Sequence, residues 1–188
     1  MKIKKVPNSP EPKTLHNIAY AYQQAFGHAP WNEGYTCSRC SAKYPLNLNP
    51  TECTNCGPNG KIEEYWPQDK IIHDFCREMN KPDAICFVAE DNNNVVGFAW
   101  GYMVSMCKKT SSRLHAPFLD SIVNGDVFYL DEIAVIPTYQ GRGIGKQMME
   151  KIITPKYKTS LLRTLASSPM QRLARSMGWQ TIMEIQGD

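Results

Sequence analysis

The chain has 188 residues, 42% of them hydrophobic, and a formal net charge of +3, which suits one domain with an embellishment and a true core. So mild a charge does not argue for nucleic acid or an anionic membrane, and no apolar stretch reaches the length needed to span a bilayer. The expectation is a soluble, cytoplasmic protein whose seven cysteines stay reduced.

Residues 1–13 hold three prolines and four lysines, lack an apolar run, and read as a flexible leader, not a signal peptide. Thr14 is positioned as the N-cap of a helix from Leu15 to about Phe26, with Leu15, Ile18, Ala19, Tyr22 and Phe26 on one side. Gly27-His-Ala-Pro-Trp-Asn-Glu33 ends it. Residues 35–66 read as an insertion built on Cys37-Ser-Arg-Cys40 and Cys53-Thr-Asn-Cys56, with twelve residues between the pairs. Two such knuckles supply the four thiolates that one structural Zn²⁺ wants, and a segment this short needs the metal to fold. The rivals are a disulfide framework, disfavoured in a reducing compartment, and a redox CxxC, which usually comes once rather than as a matched pair. Cys76, Cys86 and Cys107 have no spacing partner and read as ordinary packed residues.

After Pro67 a second helix runs through Ile71, Ile72, Phe75, Cys76 and Met79 and stops at Asn80-Lys-Pro82. Ala84–Ala89 and Val95–Val104 read as a hairpin around a turn at Glu90–Asn94. Ser105–Asp126 is polar, with room for one short helix. Val127, Phe128, Tyr129, Ile133 and Val135 then mark a buried strand, and Ile144, Met148 and Ile152 recur every fourth residue as an amphipathic helix. Thr159–Ala166 is a further strand, a helix starts at Ser167-Ser-Pro169 and ends at Gly178-Trp179, and Gln180–Ile185 is a last strand.

Between the strand at 127–135 and its following helix lies Pro137-Thr-Tyr-Gln-Gly-Arg-Gly-Ile-Gly145. A helix N-terminus offers unpaired N–H groups and a positive dipole end, and alternating glycines let a diphosphate reach the backbone. The P-loop is excluded, because Gly141 and Gly145 enclose three residues, not four, and Gln147 follows Lys146. The dinucleotide fingerprint is excluded, because Lys146 sits where its last glycine belongs. What remains, Gln140-Gly141-Arg142-Gly143-Ile144-Gly145, resembles the Gln/Arg-x-x-Gly-x-Gly/Ala motif of the GNAT superfamily of acyl-CoA N-acyltransferases. The preceding Leu-Asp-Glu-Ile-Ala-Val-Ile-Pro looks like that family's central strand, and the order α-α-β-β-β-α-β-α-β is the family order.

The resemblance implies an α/β (α+β) fold, with a mixed, mainly antiparallel central sheet flanked by helices, spanning residues 14–188, with the zinc-ribbon-like insertion between its first two helices. It implies acetyl-CoA as acyl donor and transfer of the acetyl group to a primary amine. Pantetheine would pair with the strand at Ile133, Ala134 and Val135, the Val135 N–H meeting the thioester oxygen. The diphosphate would rest on Gly141, Arg142, Gly143, Ile144, Gly145 and Lys146, after Gln140. A carboxylate must take the ammonium proton, and Glu132 is preferred over Asp131, because strand alternation sends only one of them to the acceptor cleft unless a bulge intervenes. His28 and Glu33 are the next candidates, and His73 and His115 read as surface residues. Many family members carry a tyrosine acid four residues before the glycine that ends the last helix; here that position is Ala174. Two other functions stay open: an adaptor that binds acyl-CoA without turnover, and a nucleic-acid-associated modifier. The second is weakened by the insertion, where Arg39, Lys43 and Lys61 are balanced by Glu52, Glu63 and Glu64. Acceptor identity and oligomeric state are not encoded in these motifs.

Overall fold

Five strands form the main sheet, in spatial order Lys2–Val6, Ile85–Asp91, Asn94–Ser105, Asp126–Val135 and Ser160–Leu162, all neighbours antiparallel except the last two. The computed structural model describes residues 1–105 and 125–182. In chain order the strands are β1 (Lys2–Val6), then β2 (Tyr35–Cys37), β3 (Lys43–Tyr44) and β4 (Ile62–Glu64), then β5 (Ile85–Asp91), β6 (Asn94–Ser105), β7 (Asp126–Val135) and β8 (Ser160–Leu162). The helices are α1 (Pro12–Phe26), α2 (Gln68–Met79), α3 (Ile144–Ile152) and α4 (Pro169–Ser176).

Helices α1 and α2 cover one face of the sheet, where Ile18, Tyr22, Phe26, Phe75 and Met79 pack on Val88, Phe98 and Trp100. Helices α3 and α4 cover the other, where Ile144, Met148, Met149 and Ile152 meet Val96, Phe128 and Leu130. Burying each such side chain contributes roughly 1.5–3 kcal/mol, so the four-residue spacing in α3 suffices to dock it. The mixed, mainly antiparallel sheet between helices is the architecture expected from the sequence.

Four local features differ from expectation. The leader is not loose: Lys2–Val6 pairs along its length with β5, from Lys2↔Glu90 to Val6↔Cys86. The helix α1 starts at Pro12, with Glu11 as N-cap and not Thr14, because proline's fixed φ suits the first helical position. The β5–β6 turn is tighter than Glu90–Asn94, since Asn92 and Asn93 alone take left-handed φ values of 48° and 65°. Paired left-handed residues match the strand twist, and asparagine tolerates them. The strand expected at Thr159–Ala166 is limited to Ser160–Leu162. Cys107, His115 and the rest of 106–124 lie outside the described residues, as do residues 183–185 of the strand expected at Gln180–Ile185, whose first three residues form no strand.

Between α1 and α2 the chain forms a separate three-stranded sheet, ordered β3-β2-β4. Its buried set is small, comprising Cys37, Tyr44 and Cys53 with partly buried Tyr35, Ala42, Cys56 and Ile62. It is anchored to the end of α1 by backbone bonds from Leu46 N–H to Gly27 O at 2.6 Å and Gly34 N–H to Tyr44 O at 3.0 Å.

Candidate active site and four-cysteine cluster

The strand β7 organises both sides of the cleft. Its pairing with β6 runs Trp100↔Glu132 and then Gly101↔Leu130, so Asp131 is the extra residue of a β-bulge. The bulge resets alternation, and Asp131 and Glu132 both line the cavity on the α1–α2 face. The choice between them that strict alternation would impose therefore does not arise. Further along, β8 reaches only Phe128–Leu130, leaving Asp131–Val135 without a described partner on that edge. The Ile136 N–H bonds Val96 O at 3.0 Å, so by alternation the N–H of Val135 faces the opposite, open edge. On that edge the Gln140 side chain donates to Val135 O at 2.9 Å.

A single turn of 3₁₀ helix, Pro137–Tyr139, then carries the chain to the glycine loop. Gly141 and Gly143 have φ of +76° and +74°, the left-handed region that L side chains rarely adopt, and Gly143 is the N-cap of α3. A Cβ at Gly141 would meet nothing within 4 Å, so the backbone there is open to an approaching group. Arg142 is fixed by donation to Thr138 O at 3.0 Å and by stacking 4.7 Å over the Tyr139 ring. Tyr139 in turn donates to Asp91 at 2.9 Å, and Lys146 is exposed at the first turn of α3. The loop therefore offers exposed N–H groups, a helix N-terminus and two cations.

On the other side of β7 lies a cavity of about 240 Å³. Tyr22, Phe26, Trp31, Trp66, Phe75 and Trp100 form its aromatic walls, and Glu33, Asp74, Glu78, Asp131 and Glu132 add carboxylates. Tyr22 is placed by the buried face of α1 and donates to Glu132 Oε1 at 3.1 Å. Burial first, and then the Glu132 charge, hold the Tyr22 pKa well above its usual value, so it stays a neutral donor. Burial and the Asp131 charge likewise raise Tyr102 behind the wall. Glu78 is 4% exposed; burial pushes its pKa up, but Lys81 and Arg77 outweigh it and hold the carboxyl below the usual range. Trp100 is equally buried, and its indole N–H has no partner among the described residues. A larger, open and mostly polar depression of about 690 Å³ lies on the insertion, between Asn49–Glu52 and Asn59–Glu64, and does not touch β7.

Of the sequence-selected residues, Glu33 joins the cavity, whereas His28 does not line it and His73 is exposed beside Asp74. Ala174 is the buried residue of α4, packed into the core, so that position offers no acid. Tyr22, Trp66, Trp100, Asp74 and Glu78 are cavity residues that motif reading did not single out. Tyr22 and Phe75 were visible only as core positions of amphipathic helices.

The four paired cysteines converge, with all sulfur atoms within 4.8 Å of one another. Zn–S bonds of roughly 2.3 Å put tetrahedral sulfurs about 3.8 Å apart, so the set fits one Zn²⁺ after small adjustment. Gly60 is pressed against the cluster, where an added Cβ would lie 2.6 Å from Cys37 Sγ. The Tyr44 hydroxyl donates to Cys53 Sγ at 3.2 Å, and the N–H groups of Asn55 and Cys56 donate at 3.4 Å. These donors lower the Cys53 pKa to about 6, the thiolate a metal needs. Cys56 is pushed up to about 12 by its bond with Cys40, burial and the other sulfurs, because four thiols cannot all ionise without a cation between them.

An edge of β7 without a described partner thus lies beside the glycine loop, with carboxylates on the other side of the strand. The family model described as "Acetyltransferase (GNAT) family" matches residues 51–179, more than half of the chain, and the chain belongs to that family. Among solved structures, the aminoglycoside N-acetyltransferase AAC(6')-Iy in complex with CoA is similar over 100% of this chain and 92% of its own, at TM-score 0.58 and 12% identity. The same enzyme with the bisubstrate analogue CoA-S-monomethyl-acetylneamine aligns at TM-score 0.56 and 12% identity, covering 100% and 95%. A tetramutant of the BH1408 protein from Bacillus halodurans aligns at TM-score 0.60 and 13% identity, covering 100% and 98%. At such identities these likenesses speak for the fold. No curated protein sequence matches the chain.

Proposed function

We propose that this chain is an N-acetyltransferase that moves an acetyl group from acetyl-CoA to a primary amine by direct attack in a ternary complex. The observation that carries this reading is the division of β7. Its open edge leads to the glycine loop, while its bulge presents Asp131 and Glu132 to an aromatic cavity. Acetyl-CoA would lie along Ile133, Ala134 and Val135, with its diphosphate on the N–H groups from Gly141 to Lys146. The Val135 N–H would then face the thioester oxygen and stabilise the oxyanion. Glu132, one oxygen held by Tyr22, would take the ammonium proton directly or through water, with Asp131 beside it as the alternative. The amine nitrogen then bonds the acetyl carbon, the C–S bond breaks, and CoA leaves as a thiolate. A thiol pKa of about 8.5 makes this tolerable without the tyrosine acid that Ala174 replaces.

The cavity is smaller than the ~300–1,000 Å³ of most small-molecule pockets, which favours a small amine or one arm of a larger acceptor. Cys37, Cys40, Cys53 and Cys56 would hold one structural Zn²⁺, supplying the cohesion that the small buried set of the insertion lacks. No helix among the described residues is long and apolar enough to cross a membrane, which fits the soluble, cytoplasmic protein we infer. The test is thiol release from acetyl-CoA against a panel of primary amines. Release with an acylated amine as product supports the reading; binding of acetyl-CoA without release on any amine would favour the adaptor instead.

A further inference from the structure

We propose that Glu33 receives a second positive charge on the acceptor, and that the four-cysteine module sets this carboxylate through Lys43. The inference rests on the acceptor reading of the cavity. It names the acceptor class as an aliphatic primary amine with another ammonium group a few carbons away.

Glu33 lines the cavity, and its side chain is only 11% exposed. Its Oε1 accepts from Lys43 Nζ at 2.9 Å and its Oε2 from Trp66 Nε1 at 2.8 Å. A carboxylate has about four acceptor sites, so two remain for a ligand. Both donors belong to the insertion or its exit. Lys43 lies in β3 next to Tyr44, whose hydroxyl bonds Cys53 Sγ, and Lys43 Nζ also sits 5.0 Å over the Tyr65 ring. The position of the cysteine cluster is thereby passed to Glu33 over two adjacent residues.

Trp66 continues the connection inward. Its ring meets Tyr22 edge-on at 5.4 Å, and Tyr22 donates to Glu132. Glu33 and Glu132 therefore stand at the two ends of one aromatic wall. Among the described residues, the cavity lining holds five carboxylates and no lysine or arginine. The paired cations Lys43, Arg77 and Lys81 approach from outside the lining, and Lys43 is 45% exposed, so solvent screens its charge. Aromatic faces add attraction for an ammonium group. Trp100, also a lining residue, has a buried N–H with no partner among the described residues. An unmet buried donor is costly, and a ligand or water in the cavity relieves it.

Lys43 is then a positioning residue, and its effect must run through Glu33. The experiment is calorimetric binding of 1,4-diaminobutane and n-butylamine to the full, zinc-loaded chain, followed by steady-state kinetics with both amines. The diamine should bind about tenfold tighter or more, as expected for a hydrogen-bonded charge, and Glu33→Gln should erase the difference. Lys43→Ala should raise the KM for the diamine while kcat and the acetyl-CoA KM stay unchanged, and Lys43→Arg should restore it. In the Glu33→Gln background, Lys43→Ala should add nothing. If Lys43→Ala loses its metal, Trp66→Phe removes the other donor to Glu33 and should likewise narrow the affinity difference between the two amines. Equal affinity of the wild type for both amines, or a Lys43 effect that persists without Glu33, overturns the proposal. The calorimetry is run without acetyl-CoA. Diamine preference without CoA release would therefore refute the reaction but not this assignment, and CoA release without the preference would do the reverse.

Discussion

The two sides of β7 are made of different material. On the loop side the site is backbone: N–H groups at the start of α3, held by Gly141 and Gly143 at φ values open to few residues but glycine. On the cavity side it is side chains from six separate places: α1, the loop after it, the end of the insertion, α2, β6 and the bulge of β7. A backbone site tolerates change everywhere except at its glycines, whereas a side-chain site can be retuned one residue at a time. That contrast suits an enzyme in which one donor is fixed and the acceptor is free to diverge.

The largest break should come from the metal. Stripping zinc, or Cys53→Ser, should unfold residues 35–66, because structural zinc supplies on the order of 10 kcal/mol or more to small modules. Elemental analysis should give about one zinc per chain in the wild type, as four thiolates close one tetrahedral site. Acetyl-CoA binding should survive while acceptor KM worsens. Retained acceptor kinetics with lost acetyl-CoA binding would reverse the assignment of the two sides. Next in size, Glu132→Gln should lower kcat by roughly 10²-fold or more with acetyl-CoA affinity nearly intact. A normal kcat would shift the base to Asp131, which the bulge has placed in the same cavity.

A smaller effect is expected on the loop side. Gly143→Val forces a branched side chain into a left-handed N-cap, straining the turn by about 1–2 kcal/mol and crowding the diphosphate. The rise in melting temperature on adding acetyl-CoA should vanish, with the response to amines unchanged. The smallest effect is a pH effect at Tyr22. Its folded pKa lies above the usual 10, so both states are protonated below pH 10 and the shift is silent there. Above pH 10 the unfolded chain ionises first, and stability falls as pH rises. Tyr22→Phe should flatten that fall, visible in melting curves between pH 9 and pH 11. An unchanged slope would mean that the phenol is not held neutral.

These sites differed in how far the sequence announced them. The glycine loop and the paired cysteines are spelled out because their chemistry depends on residue spacing within a few positions. The central strand and α3 are equally legible from their periodicities. The bulge at Asp131 is not, since it exists only through the register with Trp100 and Gly101 on another strand. Nor is the Lys43–Glu33–Trp66 arrangement, which joins residues ten and thirty-three positions apart through tertiary placement alone. The strand β1 was hidden by composition: lysines at 2, 4 and 5 and prolines at 7, 10 and 12 outweigh two apolar residues.

That strand has a practical consequence. β1 is an outer strand of the main sheet, and it covers β5, whose Val88 and Ala89 are fully buried. Its exposed residues are the lysines at 2, 4 and 5, one of them, Lys4, tied to Glu90 at 2.7 Å. Charged, short border strands discourage a second sheet from adding itself by backbone pairing. Deleting residues 1–11 would therefore uncover the bonding groups of an apolar strand. The shortened protein should self-associate at concentrations where the full chain stays dispersed, a difference that light scattering would register before any loss of acetyl-CoA binding.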